Sequence, residues 1–455
     1  MSIRSFISTK YSALGLSERT GSFVKNVGLG FVAKGLSILI SFIQIPLILS
    51  ILSKTEYGIW ITIFSVTGWL SFFDIGMGNG FRNQLTEALA VNDTDKAKKL
   101  VSTIYISMFG IFSAVVIVFI IASNYISWVD IFNAPQSLET QLYYTVIISV
   151  SAAALNFVLA LIHIILAAKH QTGKSGILFL IGQLLTLLFI IYYKSHQSGY
   201  NFLILSSVLS VVPLLVNIGI NIYLFFSDFR NMSPSINHYK KDYLKGLMNL
   251  GIMFFLIQIS GLVIYSTDNF LINKLFGPET VTKYSLVYKY FSIISVSFSL
   301  ISAPLWTMYV DAFSKKDFFW VEKNLKFLLK AVIISTIIII IMNLIAPIFF
   351  KIWIGDNYDI SYSMNILIST YIILFIWGSI WVLPLNATGK IKVQMIVSIA
   401  VALINIPAIY FFSYIFNNVN GVIVANIITM ILGCGSMYIY YKKNVSVFFK
   451  NGKRI

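Results

Sequence analysis

Long apolar segments alternate with short polar ones along the whole chain. Most of the apolar segments extend for about 20 residues or more, the length that an α-helix needs to cross the hydrocarbon core of a membrane. The pattern predicts twelve membrane-spanning helices, at residues 27–52, 57–80, 100–122, 142–167, 177–194, 203–226, 247–273, 282–310, 327–350, 363–385, 393–416 and 421–441. We therefore predict an all-α protein that crosses a membrane many times.

The composition supports this interpretation. Hydrophobic residues make up 58% of the chain and charged residues only 11%, whereas an ordinary soluble domain is about 25% charged. The net charge of +16 lies mainly in the connections between spans, so we do not interpret it as a nucleic-acid site. The single cysteine, Cys434, excludes a disulfide within one chain, and the sequence has no metal-ligand, Walker A or nucleophile-elbow motif. We expect no cofactor.

Lysines and arginines are distributed unevenly between the two sets of connections. Most of the 33 fall in the two termini and in the connections that follow even-numbered spans. The positive-inside rule then predicts that both termini lie in the cytoplasm. The longest connections on that side are 81–99, 227–245 and 311–326. The connections on the opposite side are too short to form a catalytic domain.

The twelve spans divide into two halves of six. The predicted parts are a cytoplasmic N-terminal segment (1–26), an N-terminal six-helix bundle (27–226), a cytoplasmic linker (227–246), a C-terminal six-helix bundle (247–441) and a basic cytoplasmic tail (442–455). The sequence Leu166–Lys174 recurs in weakened form at Leu383–Lys390, and six spans separate the copies. This spacing indicates a parallel repeat about an axis along the membrane normal, which transporters use.

A polar stripe follows one face of the first predicted span. Lys34, Ser37, Ser41 and Gln44 are spaced by three or four residues, which places them on the same side of a helix. A lysine in hydrocarbon costs roughly 2.5–3.5 kcal/mol on insertion scales. We therefore expect Lys34 to face a water-filled cavity, with Gln44 further along the same face.

The seventh and eighth predicted spans carry charged residues as well. Asp268 ends a stripe that begins at Gln258 in the seventh span, and Lys289 lies in the eighth among several serines. For the serines we favour helix packing, and for Lys34, Asp268 and Lys289 we favour a central cavity between the two halves. The alternative is that each lysine pairs with Asp268 or Asp74.

Two lysines within spans favour an anionic ligand. A phosphate or pyrophosphate suits ammonium point charges. Carboxylates such as Asp268 are candidates for binding a coupling H⁺ or Na⁺. Asp74 and Arg82 lie at the inner end of the second span, where both a gate for substrate entry and an ordinary anchor at the lipid headgroups are consistent with the sequence.

Two groups of residues carry a resemblance to a known family. Glu56–Trp60, Phe73–Gly78 and Arg82 followed by Asn83 resemble the opening hairpin of the bacterial polysaccharide-transporter family, and Asp268–Phe270 with Tyr284 resembles its seventh and eighth spans. That family includes the O-antigen repeat-unit flippases and belongs to the superfamily of multidrug, oligosaccharidyl-lipid and polysaccharide exporters.

The resemblance implies a fold of two six-helix bundles around a central cavity, similar to that of the MATE transporters. It implies an undecaprenyl-pyrophosphate-linked oligosaccharide as substrate, moved from the cytoplasmic to the periplasmic leaflet of the inner membrane by alternating access. Lys34, Lys289 and Arg82 are then candidate contacts to pyrophosphate or acidic sugars. The implied partners are membrane lipids, an O-antigen polymerase and a chain-length regulator.

Two other functions were weighed against this one. A multidrug or cation antiporter of the same fold would favour a carboxylate-rich cavity, which two intramembrane lysines oppose. A membrane-embedded glycan polymerase or ligase would carry a large outer loop with catalytic residues, and the sequence has none. We therefore predict a transporter and not an enzyme.

Overall fold

The structure, a computed structural model, describes residues 18–70, 77–169, 171–196, 201–248, 251–356, 358–387 and 391–444. Within these residues the secondary structure is helical, with no strand. The helices of the first half are α1 (Glu18–Leu49), α2 (Lys54–Gly68), α3 (Met77–Ala90), α4 (Thr94–Ser123), α5 (Trp128–Phe132), α6 (Glu139–Leu159), α7 (Leu161–Ala168), α8 (Thr172–His196) and α9 (Phe202–Phe226). Those of the second half are α10 (Lys241–Met248), α11 (Gly251–Tyr265), α12 (Asp268–Phe276), α13 (Pro278–Ser314), α14 (Phe318–Ile354), α15 (Tyr362–Ala387), α16 (Ile391–Phe416) and α17 (Asn420–Asn444).

Ten segments of the described chain are helical, long and apolar enough to cross a membrane. They correspond to every predicted span except the second, 57–80, and the seventh, 247–273. In place of the second span the structure has α2 and α3, with residues 71–76 outside the described part. In place of the seventh it has the two shorter helices α11 and α12. The all-α membrane fold is confirmed, and the count of twelve stays a prediction.

The seventh predicted span is broken between Tyr265 and Asp268. A break inside a membrane leaves backbone groups without their helical partners, which other groups must satisfy. Here the indole Nε1 of Trp69 donates a hydrogen bond to the carbonyl oxygen of Ser266 over 3.2 Å. The prediction of one helix over 247–273 was therefore wrong, because Asp268 opens a second helix.

The chain separates into two compact units. The N-terminal unit comprises Met1–Ile51, Phe73–Ile126 and Thr140–Gly251, and the C-terminal unit comprises Leu52–Phe72, Ser127–Glu139 and Ile252–Ile455. This grouping differs from the predicted bundles in the segments that contain α2 and α5, which group with the C-terminal helices. The remaining predicted domain boundaries stay a prediction.

In the N-terminal unit, α1 packs on α8, and α3 packs on α4 and α7. The predicted linker at 227–246 is ordered against α4. The backbone N–H groups of Ser235 and Lys240 donate to the hydroxyls of Ser102 and Thr103, each over 3.0 Å. The linker is therefore part of the surface of this unit.

In the C-terminal unit, α13 is the central helix. It packs against α2, α12, α14 and α15, and α17 packs against both α15 and α16. Phe291 and Tyr309 of α13 are completely buried, whereas Ile333, Ile337 and Leu344 on α14 are more than half exposed. Large exposed aliphatic side chains along one helix face are the arrangement expected of a surface in contact with lipid.

Candidate functional site

A cavity of about 560 Å³ lies inside the C-terminal unit, beside the break between α11 and α12. The helices α2 and α13 form its other walls. Its polar lining residues include Ser65, Asp268, Asn269, Tyr284, Lys289 and Ser292. The structure thus brings together Asp268 and Lys289, two of the charged residues that the sequence singled out.

Asp268 is a buried polar residue of this cavity that accepts two hydrogen bonds. Its side chain is 6% exposed, and its Oδ2 accepts hydrogen bonds from the Tyr284 hydroxyl at 2.7 Å and from Asn426 Nδ2 at 2.8 Å. Its second oxygen, Oδ1, is buried and has no hydrogen-bond partner among the described residues. Buried carboxylate oxygens are costly unless they are paired or bind a cation, so Oδ1 has the properties of a free ligand atom.

A chain of buried side chains extends from Asp268 into α16 and α17. Asn405 Nδ2 donates to Asn426 Oδ1 over 2.9 Å and also lies 3.1 Å from the Thr429 hydroxyl. Asn405 and Thr429 are 0% exposed and Asn426 is 2% exposed. Oδ1 of Asn405 is likewise buried without a partner among the described residues. We call Asp268, Asn405, Asn426 and Thr429 the oxygen cluster.

The oxygen cluster supplies ligands suited to a hard cation. It combines one carboxylate with amide and hydroxyl oxygens, and oxygen ligands are those that hard cations prefer. In other transporter folds, coupling-ion sites are formed at breaks in membrane helices. The break at 265–268 contributes directly, because it places Asp268 at the start of α12. The positive end of a helix dipole favours an ionised carboxylate at that position.

Sequence reasoning missed Asn405, Asn426 and Thr429. Each lies in the interior of an apolar span, where a polar side chain needs a partner. The pair Asn426 and Thr429 is spaced by three residues and shares one helix face. This spacing is the feature of the sequence that could have indicated the site, and it is less specific than a charged residue within a span.

The polar residues of α2 attach that helix to α12. Asn269 Nδ2 donates to the Ser65 hydroxyl over 2.7 Å, and Asn273 Nδ2 donates to the Thr62 hydroxyl over 3.2 Å. These bonds join segments more than 200 residues apart in sequence. They fix the wall of the cavity that faces Asp268.

The other predicted site residues are placed differently. Lys34 is exposed on α1 and Arg82 is exposed on α3, both in the N-terminal unit. Gln44 donates through Nε2 to the carbonyl oxygen of Gln183 on α8 over 3.1 Å, so one of its two amide hydrogens serves helix packing. Asp74 lies outside the described residues. A chamber shared by Lys34 and Lys289 stays a prediction, since the two belong to different units.

The serines of α13 form hydrogen bonds within their own helix. The hydroxyls of Ser285, Ser292, Ser295 and Ser299 each donate to the carbonyl oxygen three residues earlier. This local bonding satisfies a hydroxyl in apolar surroundings without a partner helix. The donors of these serines are therefore already used, although their oxygens can still accept.

Comparisons with known proteins agree with the fold. No family model matches the sequence. A protein of Yersinia pseudotuberculosis named for O-antigen export is 24% identical over 378 residues, which is 78% of this chain and 81% of that protein. A protein of Salmonella typhimurium named as an O-antigen transporter is 23% identical over 405 residues, which is 86% of this chain and 89% of that protein.

Solved structures with the same fold are multidrug transporters. An inward-facing MATE family transporter of the MOP superfamily has a TM-score of 0.69 at 15% identity and covers 91% of this chain and 99% of its own. An outward-facing one has a TM-score of 0.65 at 13% identity, over 95% of this chain and 97% of its own. The chain is a multi-pass membrane protein with the fold of the MOP-superfamily MATE transporters, and the curated relatives that it resembles are named for transport and not for an enzymatic activity.

Proposed function

We propose that this protein is a flippase for lipid-linked oligosaccharides of the O-antigen type. The substrate is an undecaprenyl-pyrophosphate-linked repeat unit, moved by alternating access from the cytoplasmic to the periplasmic leaflet of the inner membrane. The observation that carries the proposal is the similarity to proteins named for O-antigen export over most of the chain. An O-antigen polymerase and a chain-length regulator would then take over the product.

The cavity chemistry supports an anionic headgroup as ligand. Lys289 lines the cavity together with the hydroxyl-bearing residues Tyr288 and Ser292. An ammonium group binds phosphate as a point charge, and hydroxyls bind sugars. We propose Lys34, Arg82 and Gln44 as further contacts, supplied by the N-terminal unit.

The oxygen cluster supports coupling to a cation gradient. Asp268 binds the coupling ion, H⁺ or Na⁺, and its hydrogen bond from Tyr284 links the ion to α13, which carries Lys289. A bound cation therefore changes the charge of the same cavity wall that the substrate contacts. Differential binding to two conformations is the requirement for such coupling.

Loss of the gene is the first test of the proposed substrate. In a host without a redundant flippase, deletion should leave lipid-linked repeat units in the cytoplasmic leaflet, because the pyrophosphate and sugars do not cross hydrocarbon unaided. The measurement is the accessibility of the repeat unit to a glycan-modifying enzyme added outside spheroplasts, with the intact gene on a plasmid as control. Unchanged outward delivery would contradict the proposal. Increased drug sensitivity with normal delivery would instead favour a multidrug antiporter.

Removing the cavity lysine tests anion binding. We expect Lys289→Ala to lower transport by about tenfold or more, since hydrogen bonds to charged groups contribute about 1.5–3 kcal/mol. We expect Lys34→Ala to lower transport as well. The matched control is Lys274→Ala, because Lys274 is exposed on α12 in the same unit. Transport at the wild-type level in both the Lys289 and the Lys34 variants, with normal amounts in the membrane, would exclude these lysines as the anion site.

A further inference from the structure

A second cavity lies within the C-terminal unit, between α13, α15, α16 and α17. Its volume is about 310 Å³, and it shares no lining residue with the cavity at Lys289. The facing helices contribute residues at helical spacing: Ser379 and Asn386 from α15, Gln394 and Ser398 from α16, and Thr429 from α17. We call it the inner cavity.

The inner cavity meets the oxygen cluster at the buried residue Thr429. Thr429 belongs to both, and its hydroxyl lies 3.1 Å from Asn405 Nδ2. On α16, Gln394, Ser398 and Val401 line the cavity, and Asn405 follows four residues later on the same face. The cavity therefore leads along one helix face to the residues that hold Asp268.

The other end of the inner cavity lies near the connection between α15 and α16. Asn386 is next to the last residue of α15, and Gln394 is in the first turn of α16. The charge pattern predicts that this connection faces the cytoplasm. Thr429 is about 22 Å along α17 from its last residue, Asn444, at 1.5 Å per residue. The cavity thus begins near the predicted cytoplasmic surface and ends deep in the membrane.

Polar groups occur at each level of this cavity. Amides of Asn386 and Gln394 lie near the connection, the hydroxyls of Ser379 and Ser398 lie further in, and Thr429 is deepest. Oδ1 of Asn386 has no partner among the described residues. Water can enter a cavity that offers it several polar partners.

We propose that the inner cavity is the path by which the coupling cation moves between the oxygen cluster and the cytoplasm, separate from the path of the lipid-linked sugar. The proposal rests on the cation coupling in the proposed function. Thr429 then forms the cytoplasmic entrance of the cation site, and the hydroxyls of Ser379 and Ser398 line the path that leads to it. The ion then enters and leaves without competing with the bulky substrate for one opening.

The single cysteine of the chain reports on this path. Cys434 lines the inner cavity, and no other residue reacts with a methanethiosulfonate. We expect a charged, membrane-impermeant methanethiosulfonate to label Cys434 of the full chain about tenfold faster in inverted vesicles than in right-side-out vesicles, a ratio that corresponds to about 1.4 kcal/mol in access. Cys434→Ser is the control for background. Equal rates from both sides, or no labelling from either side, would overturn the proposal.

A plug in the cavity provides the second measurement. Ser398→Phe fills the space between α16 and its neighbours, and we expect it to slow labelling of Cys434 from the cytoplasmic side by about tenfold. The control is Leu403→Phe on the same helix, since Leu403 is 72% exposed. Ser398→Leu serves where the larger residue lowers the amount of protein in the membrane. Unchanged labelling in both Ser398 variants would overturn the proposal.

Labelling also separates this inference from the proposed function. It depends on access of water to Cys434 and requires no sugar substrate. If Cys434 is labelled faster from the cytoplasmic side and the deletion strain still delivers repeat units outward, the O-antigen function is excluded and the cation path is supported. If flippase activity is confirmed and Cys434 is labelled at equal rates from both sides, the function is supported and the cation path is excluded.

Discussion

Replacement of Asp268 by Asn is expected to abolish gradient-driven transport and leave the protein folded in the membrane. The change keeps the size of the side chain and an oxygen that accepts from Tyr284 or Asn426. It removes the only formal negative charge among the residues of the oxygen cluster. Interactions with a charged group contribute about 1.5–3 kcal/mol, and the variant loses the charge that attracts the cation, so we expect a loss of about hundredfold in transport.

The measurement for Asp268→Asn is cation-driven translocation in proteoliposomes, together with cation-dependent thermal stabilisation of the purified protein. A ligand that binds only the folded state raises the unfolding temperature, and the variant should lose this rise. Asp130→Asn is the control, because Asp130 is exposed on α5 in the same unit. Wild-type transport and stabilisation in Asp268→Asn would exclude Asp268 as the coupling site.

Replacement of Gly58 by Val is expected to destabilise the C-terminal unit strongly. A Cβ atom at residue 58 would lie 1.8 Å from the backbone carbonyl oxygen of Pro278 and 2.9 Å from the Thr282 hydroxyl. The backbone has little room to retreat, since the Thr282 hydroxyl also donates to the Lys54 carbonyl oxygen over 2.6 Å. Overpacking of this kind costs about 1–3 kcal/mol and more where backbone atoms meet.

The measurement for Gly58→Val is the thermal unfolding midpoint in detergent and the amount of protein in the membrane, and both should fall. The matched control is Gly68→Ala in the same helix, α2, where an added Cβ has no atom within 4 Å. Alanine favours helix over glycine by about 1 kcal/mol, so the control should be neutral or slightly stabilising. Equal stability of Gly58→Val and wild type would show that α2 and Pro278 are not in close contact.

The membrane spans and the charged residues of the cavity could be predicted from the sequence, because they depend on local periodicity and on the cost of placing a charge in hydrocarbon. Ten of the predicted spans are helical, long and apolar, because twenty apolar residues have few other stable arrangements in a membrane. Asp268 and Lys289 were singled out by their charge alone, and both line one cavity. These inferences required no knowledge of distant contacts.

The sequence predicted poorly what depends on contacts between distant segments. The break before Asp268 is supported by Trp69, which is 197 residues away, and no local pattern indicates that pairing. Asn405 and Asn426 became site residues only when α16 and α17 were placed side by side. The amide of Gln44, expected in the cavity, contacts Gln183 for the same reason.

The assignment of α2 and α5 to the C-terminal unit affects how the protein is made in the cell. The chain leaves one unit and enters the other after residues 51, 72, 126, 139 and 251. A ribosome that has finished the first 251 residues has therefore delivered all of the N-terminal unit and only part of the C-terminal unit. The segment containing α2 must wait in the membrane for α13 before it acquires its permanent neighbours. A division of the chain at 227–246 would therefore separate α2 and α5 from the helices with which they group in the C-terminal unit.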